Sequence, residues 1–191
     1  MIILFFNGGN MKNKITKEDL YKNLDIINQW INNSDNKAAI ILGLVGILLT
    51  IIFTNGNVLS RTVKIMKEIF LNINFSDILY LIFFLGSICV CIFGLYALIK
   101  VLIPTLKMKT YRTKSYMFFG SIASYFSFNE YKEGLLKSTE EDILDDLLNQ
   151  VYQNSIICNE KFVNFSKGIK YFLGGFVSML ILYCIGILVY L

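Results

Sequence analysis

Three apolar runs constrain this chain more than anything else in it: residues 38–54, 78–99 and 171–191. A membrane-spanning helix needs about 20 predominantly apolar residues, with about 17 at the short limit. Each run meets that length, and the second is interrupted only by Gly86, Ser87 and Gly94. Backbone that crosses lipid must satisfy its own hydrogen bonds, which leaves helices or closed barrels. Composition agrees: the 191 residues are 55% apolar and 17% charged, outside the usual globular range. The expected fold is therefore an all-α integral membrane protein. It has three transmembrane helices, cytoplasmic helical extensions that form a bundle, and a tendency to self-associate as a homo-oligomer in the lipid bilayer.

Charge distribution orients the spans. Lys12, Lys14, Lys17, Lys22 and Lys37 precede the first run, and Lys100, Lys107, Lys109, Arg112 and Lys114 follow the second with no acid among them. Lys161, Lys167 and Lys170 precede the third run, whereas the 55–77 loop holds only Arg61, Lys64 and Lys67 as bases. The positive-inside rule places the N-terminus and residues 100–170 in the cytoplasm, with the C-terminus outside. The net charge of +4 is too small to imply a nucleic-acid polymer as partner. Residues 1–15 are expected to be a flexible N-terminus; Met11 looks like an alternative start, so the first ten residues carry no structural weight. Residues 16–37 give an amphipathic cytoplasmic helix, with Leu20, Leu24, Ile27 and Ile31 on one seam and Thr16 with Asp19 as a capping box. Within the outer loop, Ile65, Met66, Ile69, Phe70 and Ile73 follow helical spacing and predict a short interfacial helix.

The cytoplasmic 100–170 region begins at Pro104, which ends the second helix. A short helix is expected around 120–126 and another through Tyr131. A long helix then follows, with Ser138 and Glu141 capping its start and Leu144, Leu148, Val151, Ser155, Cys158, Phe162, Phe165 and Ile169 in unbroken heptad spacing. Gly174 and Ser178 form a small-xxx-small pair suited to close helix contact.

Little here supports catalysis. The chain has no histidine, which removes histidine metal sites and Ser-His or Cys-His nucleophiles. Cys89, Cys91, Cys158 and Cys184 lack CxxC spacing and read as packing residues. The acids of EEDILDD at 140–146 suit the start of a helix, where they favour the macrodipole. No metal or cofactor is expected, and no enzyme activity.

Two stretches invite a functional reading. Asp35 and Lys37 open the first span. Lys37 can snorkel to the headgroups, but Asp35 falls on the seam with Ile27 and Ile31 and requires a base on a neighbouring helix, with Lys167 and Lys170 as candidates. The basic run at 100–114 is what a cytoplasmic membrane edge looks like. The alternative is a docking surface for an anionic small molecule, with Lys107, Lys109, Arg112 and Lys114 for phosphate and Tyr111 or Tyr116 for base stacking.

SDNKAAIILGLVGILLTII, YMFFGSIASYFSFNEYKEGL and LLNQVYQNSIICNEKFVNFSKGIKYFLGGF together resemble the transmembrane effectors of bacterial Pycsar anti-phage systems. The resemblance covers roughly residues 20–191; the added N-terminal decapeptide departs from it. Its signature matches Asp35 and Lys37, Phe119, Gly120 and Ile122, Tyr131, and Lys161. It implies an effector of the bacterial inner membrane, in which a cyclic pyrimidine mononucleotide (cCMP or cUMP) from a partner cyclase is sensed. The membrane is then impaired, giving abortive infection. On that basis Lys107, Lys109, Arg112, Lys114, Tyr116 and Tyr131 are the candidate ligand-binding residues, and Asp35, Lys37, Phe119, Gly120 and Lys161 couple sensing to the membrane. The competing reading is a constitutive membrane scaffold or toxin-like pore-former that needs no nucleotide.

Overall fold

The structure is a computed structural model that describes residues 16–71, 73–104 and 115–190. Among these residues every regular element is helical: α1 (Lys17–Thr54), α2 (Gly56–Leu71), α3 (Phe75–Leu102), α4 (Phe119–Ile122), α5 (Phe128–Lys137) and α6 (Glu140–Tyr190). The helices α1, α3 and α6 are long and apolar enough to cross a membrane. Their apolar side chains stay largely uncovered, as with Ile40 (64% exposed), Ile82 (60%) and Leu188 (85%). In water such surface would be costly; against acyl chains it is not.

The chain divides into two compact units. One comprises the described residues of Met1–Ile27 and Lys109–Asn154; the other comprises those of Asn28–Met108 and Ser155–Leu191. In the first unit α1 begins as its sequence predicts. The Thr16 amide donates to Asp19 Oδ2 at 3.1 Å, and the Asp19 amide donates back to Thr16 Oγ1 at 3.2 Å. The start of α6 differs from expectation by one residue. Thr139 and Asp142 exchange the two capping bonds at 2.9 and 3.2 Å, while Ser138 serves as the C-cap of α5. Both Ser138 and Thr139 fit the capping pattern, and closing α5 claims the first. The helix expected over 120–126 is shorter, only α4, and α5 follows after the Ser127 cap.

The second unit is organised around the α3–α6 crossing. Gly94 lies so close to the Phe172 backbone that a Cβ there would overlap it, and a Cβ on Gly175 would sit 2.7 Å from the Cys91 nitrogen. A Cβ on Gly168 would meet the Leu98 side chain at 2.7 Å. Small residues thus let the two backbones approach, as in many membrane helix pairs. The pair Gly174 and Ser178 lies outside this crossing: Gly174 has nothing within 4 Å of its Cβ direction, and both residues are exposed within the chain. The buried face of α6 runs instead through Leu147, Gln150, Lys161, Gly168, Phe172, Gly175 and Gly186. It lies about one position from the heptad of apolar residues, and Leu148 of that heptad is 42% exposed. Polar and glycine residues occupy the contact, so an apolar count points to the wrong side. Further along, Tyr80 Oη donates to the Leu182 carbonyl at 3.1 Å, and Tyr190 donates to Asp77. The helix α2 forms as expected, with Ile65 and Ile69 buried at 2% and 0% exposure; Ile73 lies beyond its end.

Candidate functional site

The α1 seam predicted from Leu20 to Ile31 continues through Ser34, Ala38 and Val45, all buried. On it Asp35 meets a base, though not the expected one. Lys161 Nζ donates to Asp35 Oδ1 at 2.5 Å and to the Val101 carbonyl at 2.6 Å. Lys167 and Lys170 are exposed. A helical turn explains the difference, because Lys161 shares the buried α6 face with Gly168 and Phe172 whereas 167 and 170 flank it.

Three helices therefore converge on one ammonium. Val101 is in the last turn of α3, which Pro104 prevents from continuing, so its carbonyl has no helical donor. A cation at that end also suits the α3 macrodipole. Asp35 supplies the opposite charge from α1, with its side chain 34% exposed against 8% for Lys161. Beside the pair, the Trp30 and Phe162 rings pack with centroids 5.7 Å apart. A buried charge without partners would be prohibitive; held by a carboxylate and a carbonyl it is tolerated, and its position becomes sharply defined. Lys37, two residues from Asp35, is exposed.

The other unit has its own buried acid. Asp146 is 1% exposed and accepts from Ser115 Oγ at 2.7 and 2.9 Å, the Tyr116 amide at 2.8 Å and the Met117 amide at 3.2 Å. Ser115 Oγ in turn accepts from Gln150 Nε2 at 3.2 Å and the Phe118 amide at 3.0 Å. Consecutive amides turned toward one carboxylate form an anion-holding nest, here filled from α6. The nest fixes the chain that carries Tyr116. That ring stacks on Tyr125 (6.3 Å, 25°), and Tyr125 meets Tyr131 edge-on at 5.4 Å. Tyr131 Oη donates to the Tyr116 carbonyl at 3.4 Å. Burial, reinforced by Tyr116, pushes the Tyr125 hydroxyl pKa upward.

The structure thus brings Tyr116 and Tyr131 together, as it does Asp35 and Lys161. Phe119 is 67% exposed, with its ring 4.7 Å from that of Phe118. Gly120 leaves room for the Phe118 ring, since a Cβ there would lie 2.6 Å from that ring and would make it shift. Lys107, Lys109, Arg112 and Lys114, with Tyr111, lie outside the described residues. Asp146, Ser115, Gln150, Tyr125 and the Val101 carbonyl escaped the sequence reading. A signal for Asp146 existed: it lies beyond the first turn of α6, where the macrodipole no longer accounts for an acid.

An all-helical protein is thereby defined in which three helices long and apolar enough to cross a membrane meet at a Lys–Asp pair. A family model for the Pycsar effector protein domain (PycTM) matches residues 19–189, and the chain belongs to that family. It is similar to the Pycsar effector protein GmPycTM of Gulbenkiania mobilis, 32% identical over 178 residues that span 87% of this chain and 90% of that protein. No solved structure matches it. The family is named for an effector, not for a catalysed reaction.

Proposed function

We propose that this protein is the membrane effector of a Pycsar anti-phage system. It senses a cyclic pyrimidine mononucleotide, cCMP or cUMP, made by a partner cyclase, and then impairs the bacterial inner membrane so that the infected cell is lost. Residues 16–37 and 100–170 face the cytoplasm, residues 38–54, 78–99 and 171–191 span the bilayer, and the working form is a homo-oligomer. The nucleotide is taken by the segment from Lys107 to Tyr131. Lys107, Lys109, Arg112 and Lys114 meet its phosphate, and the Tyr116–Tyr125–Tyr131 cluster offers aromatic surface to its base.

The observation that carries the reading is the Lys161 junction. Family membership supplies the role of effector, and an ion pair shared by α1, α3 and α6 is a contact that a ligand could favour or part. A ligand that favours one arrangement shifts the population of the spans. Asp35 and Lys161 are thus the coupling residues. Lys37, exposed beside them, serves the membrane edge, while Phe119 and Gly120 shape the turn that follows Ser115.

Purified protein in liposomes tests this directly. Dye leakage that rises on adding cCMP or cUMP, and not cAMP or cGMP, is expected. Leakage of equal size without any nucleotide would replace the proposal with a constitutive pore-former.

A further inference from the structure

The helix α2 carries three distinct faces, and among the described residues one of them is packed. Ile65 and Ile69 are buried, with Val58 and Thr62 half-buried beside them. A Cβ built on Gly186 would lie 3.4 Å from Ile65 Cδ1, which places this face against α6. A second apolar row follows at 4-3-4 spacing: Leu59, Val63, Met66 and Phe70. Three of its members are open, at 53% (Leu59), 47% (Val63) and 66% (Phe70) exposure. The remaining face holds Arg61, Lys64 and Lys67 with a single acid, Glu68, all exposed.

By the ~3.6-residue period the second apolar row stands beside the packing face; Lys67 borders that row, Lys64 lies farther round the helix, and Arg61 lies opposite the row. A helix held sideways against a bundle, with apolar residues on one edge and bases round the remainder, matches a membrane interface. The row is continuous with lipid-type surface at both ends, since Phe53 before α2 and Phe75 after it are 71% and 81% exposed. Along the same helix a groove of about 450 Å³ is lined by Thr62, Val63, Met66, Lys67, Phe70 and Leu71. Its lining is apolar apart from Thr62 and one ammonium.

We propose that α2 is a binding surface for acidic phospholipid. The Leu59–Val63–Met66–Phe70 row sinks among the acyl chains, and Arg61, Lys64 and Lys67 hold anionic headgroups of the same leaflet. The occupant is lipid, because bases flank an apolar row that joins the spans; a protein partner would require neither feature.

The test uses the full chain in nanodiscs, with no nucleotide present, so its result is independent of ligand sensing. Trp30 is the single tryptophan; in a Trp30→Phe/Phe70→Trp variant, emission should be quenched by lipids brominated on the acyl chain. In mixed phosphatidylcholine–phosphatidylglycerol micelles the wild-type protein should retain phosphatidylglycerol preferentially. Each of Arg61→Gln, Lys64→Gln and Lys67→Gln should lower that preference roughly five-fold. Unquenched emission from the Trp30→Phe/Phe70→Trp variant overturns the proposal, as does a wild-type protein without lipid preference. Efficient disulfide formation between two copies of a Val63→Cys variant in a cysteine-free background would assign the face to a second copy instead, and would also overturn it. The wild-type competition and the tryptophan measurement stand whether or not the charge variants fold.

Discussion

At the scale of single residues, the Lys161 junction is asymmetric, and its asymmetry can be measured. Asp35 is part-exposed and can recover water when its partner is removed, whereas Lys161 cannot. Asp35→Ala should therefore cost about 3 kcal/mol, in the range for an orphaned buried charge. Lys161→Met, which replaces the ammonium with an apolar stem, should cost clearly less. Thermal unfolding in detergent would read both, and equal losses would refute the asymmetry. In a phage-protection assay Asp35→Ala should impair defence more than Lys37→Ala. Sequence was enough to place Asp35 on a seam and demand a base for it. It could not select Lys161, because that choice depends on which α6 face the glycines turn inward. At the other buried acid, Asp146→Asn keeps the shape but removes an acceptor from a site with several donors. A loss of about 1–3 kcal/mol is expected. The exposed Asp19 bears on pH instead. The Thr16 hydroxyl holds its carboxyl below the ordinary value of 3.8. A depressed carboxyl contributes above its unfolded pKa and ceases to as pH falls through the folded one. Protection of the first-turn amides of α1, taken relative to their intrinsic exchange rates, should accordingly fall below about pH 4.

At the scale of elements, the three membrane-length helices and their order were legible from apolar length alone, and so was the α1 seam, because every residue on it is aliphatic up to Ser34. The α6 face was not. Its contact residues include Gln150, Lys161, Gly168 and Gly175, and a periodicity built from large apolar side chains passes beside them. Glycine carries no hydropathy signal, yet it decides which backbones can touch. Gly94→Ala should lower the melting temperature, since the added methyl overlaps the Phe172 backbone. Gly174→Ala, with open space around it, should change stability by no more than about 0.5 kcal/mol. Similar shifts for both would mean that α3 and α6 do not cross at Gly94.

For the whole molecule, the orientation proposed from the placement of the bases can be checked in intact cells. In a cysteine-free background, Ser60→Cys in α2 should react with a membrane-impermeant maleimide added outside. Lys132→Cys in α5 should react only after lysis; the reverse pattern would invert the orientation.

The helices α3 and α6 are joined at several levels, by Lys161 at one end, by the glycine contacts along the crossing, and by Tyr80 and Tyr190 at the other. In the apolar half of α1, by contrast, the Thr50 and Thr54 hydroxyls bond to their own helix. Asp35 lies near the midpoint of the 38-residue α1, with about 27 Å of helix to either side. The Lys161 contact thus meets α1 near its middle, and the burial of Leu20 and Val45 shows the helix packed on either side of it.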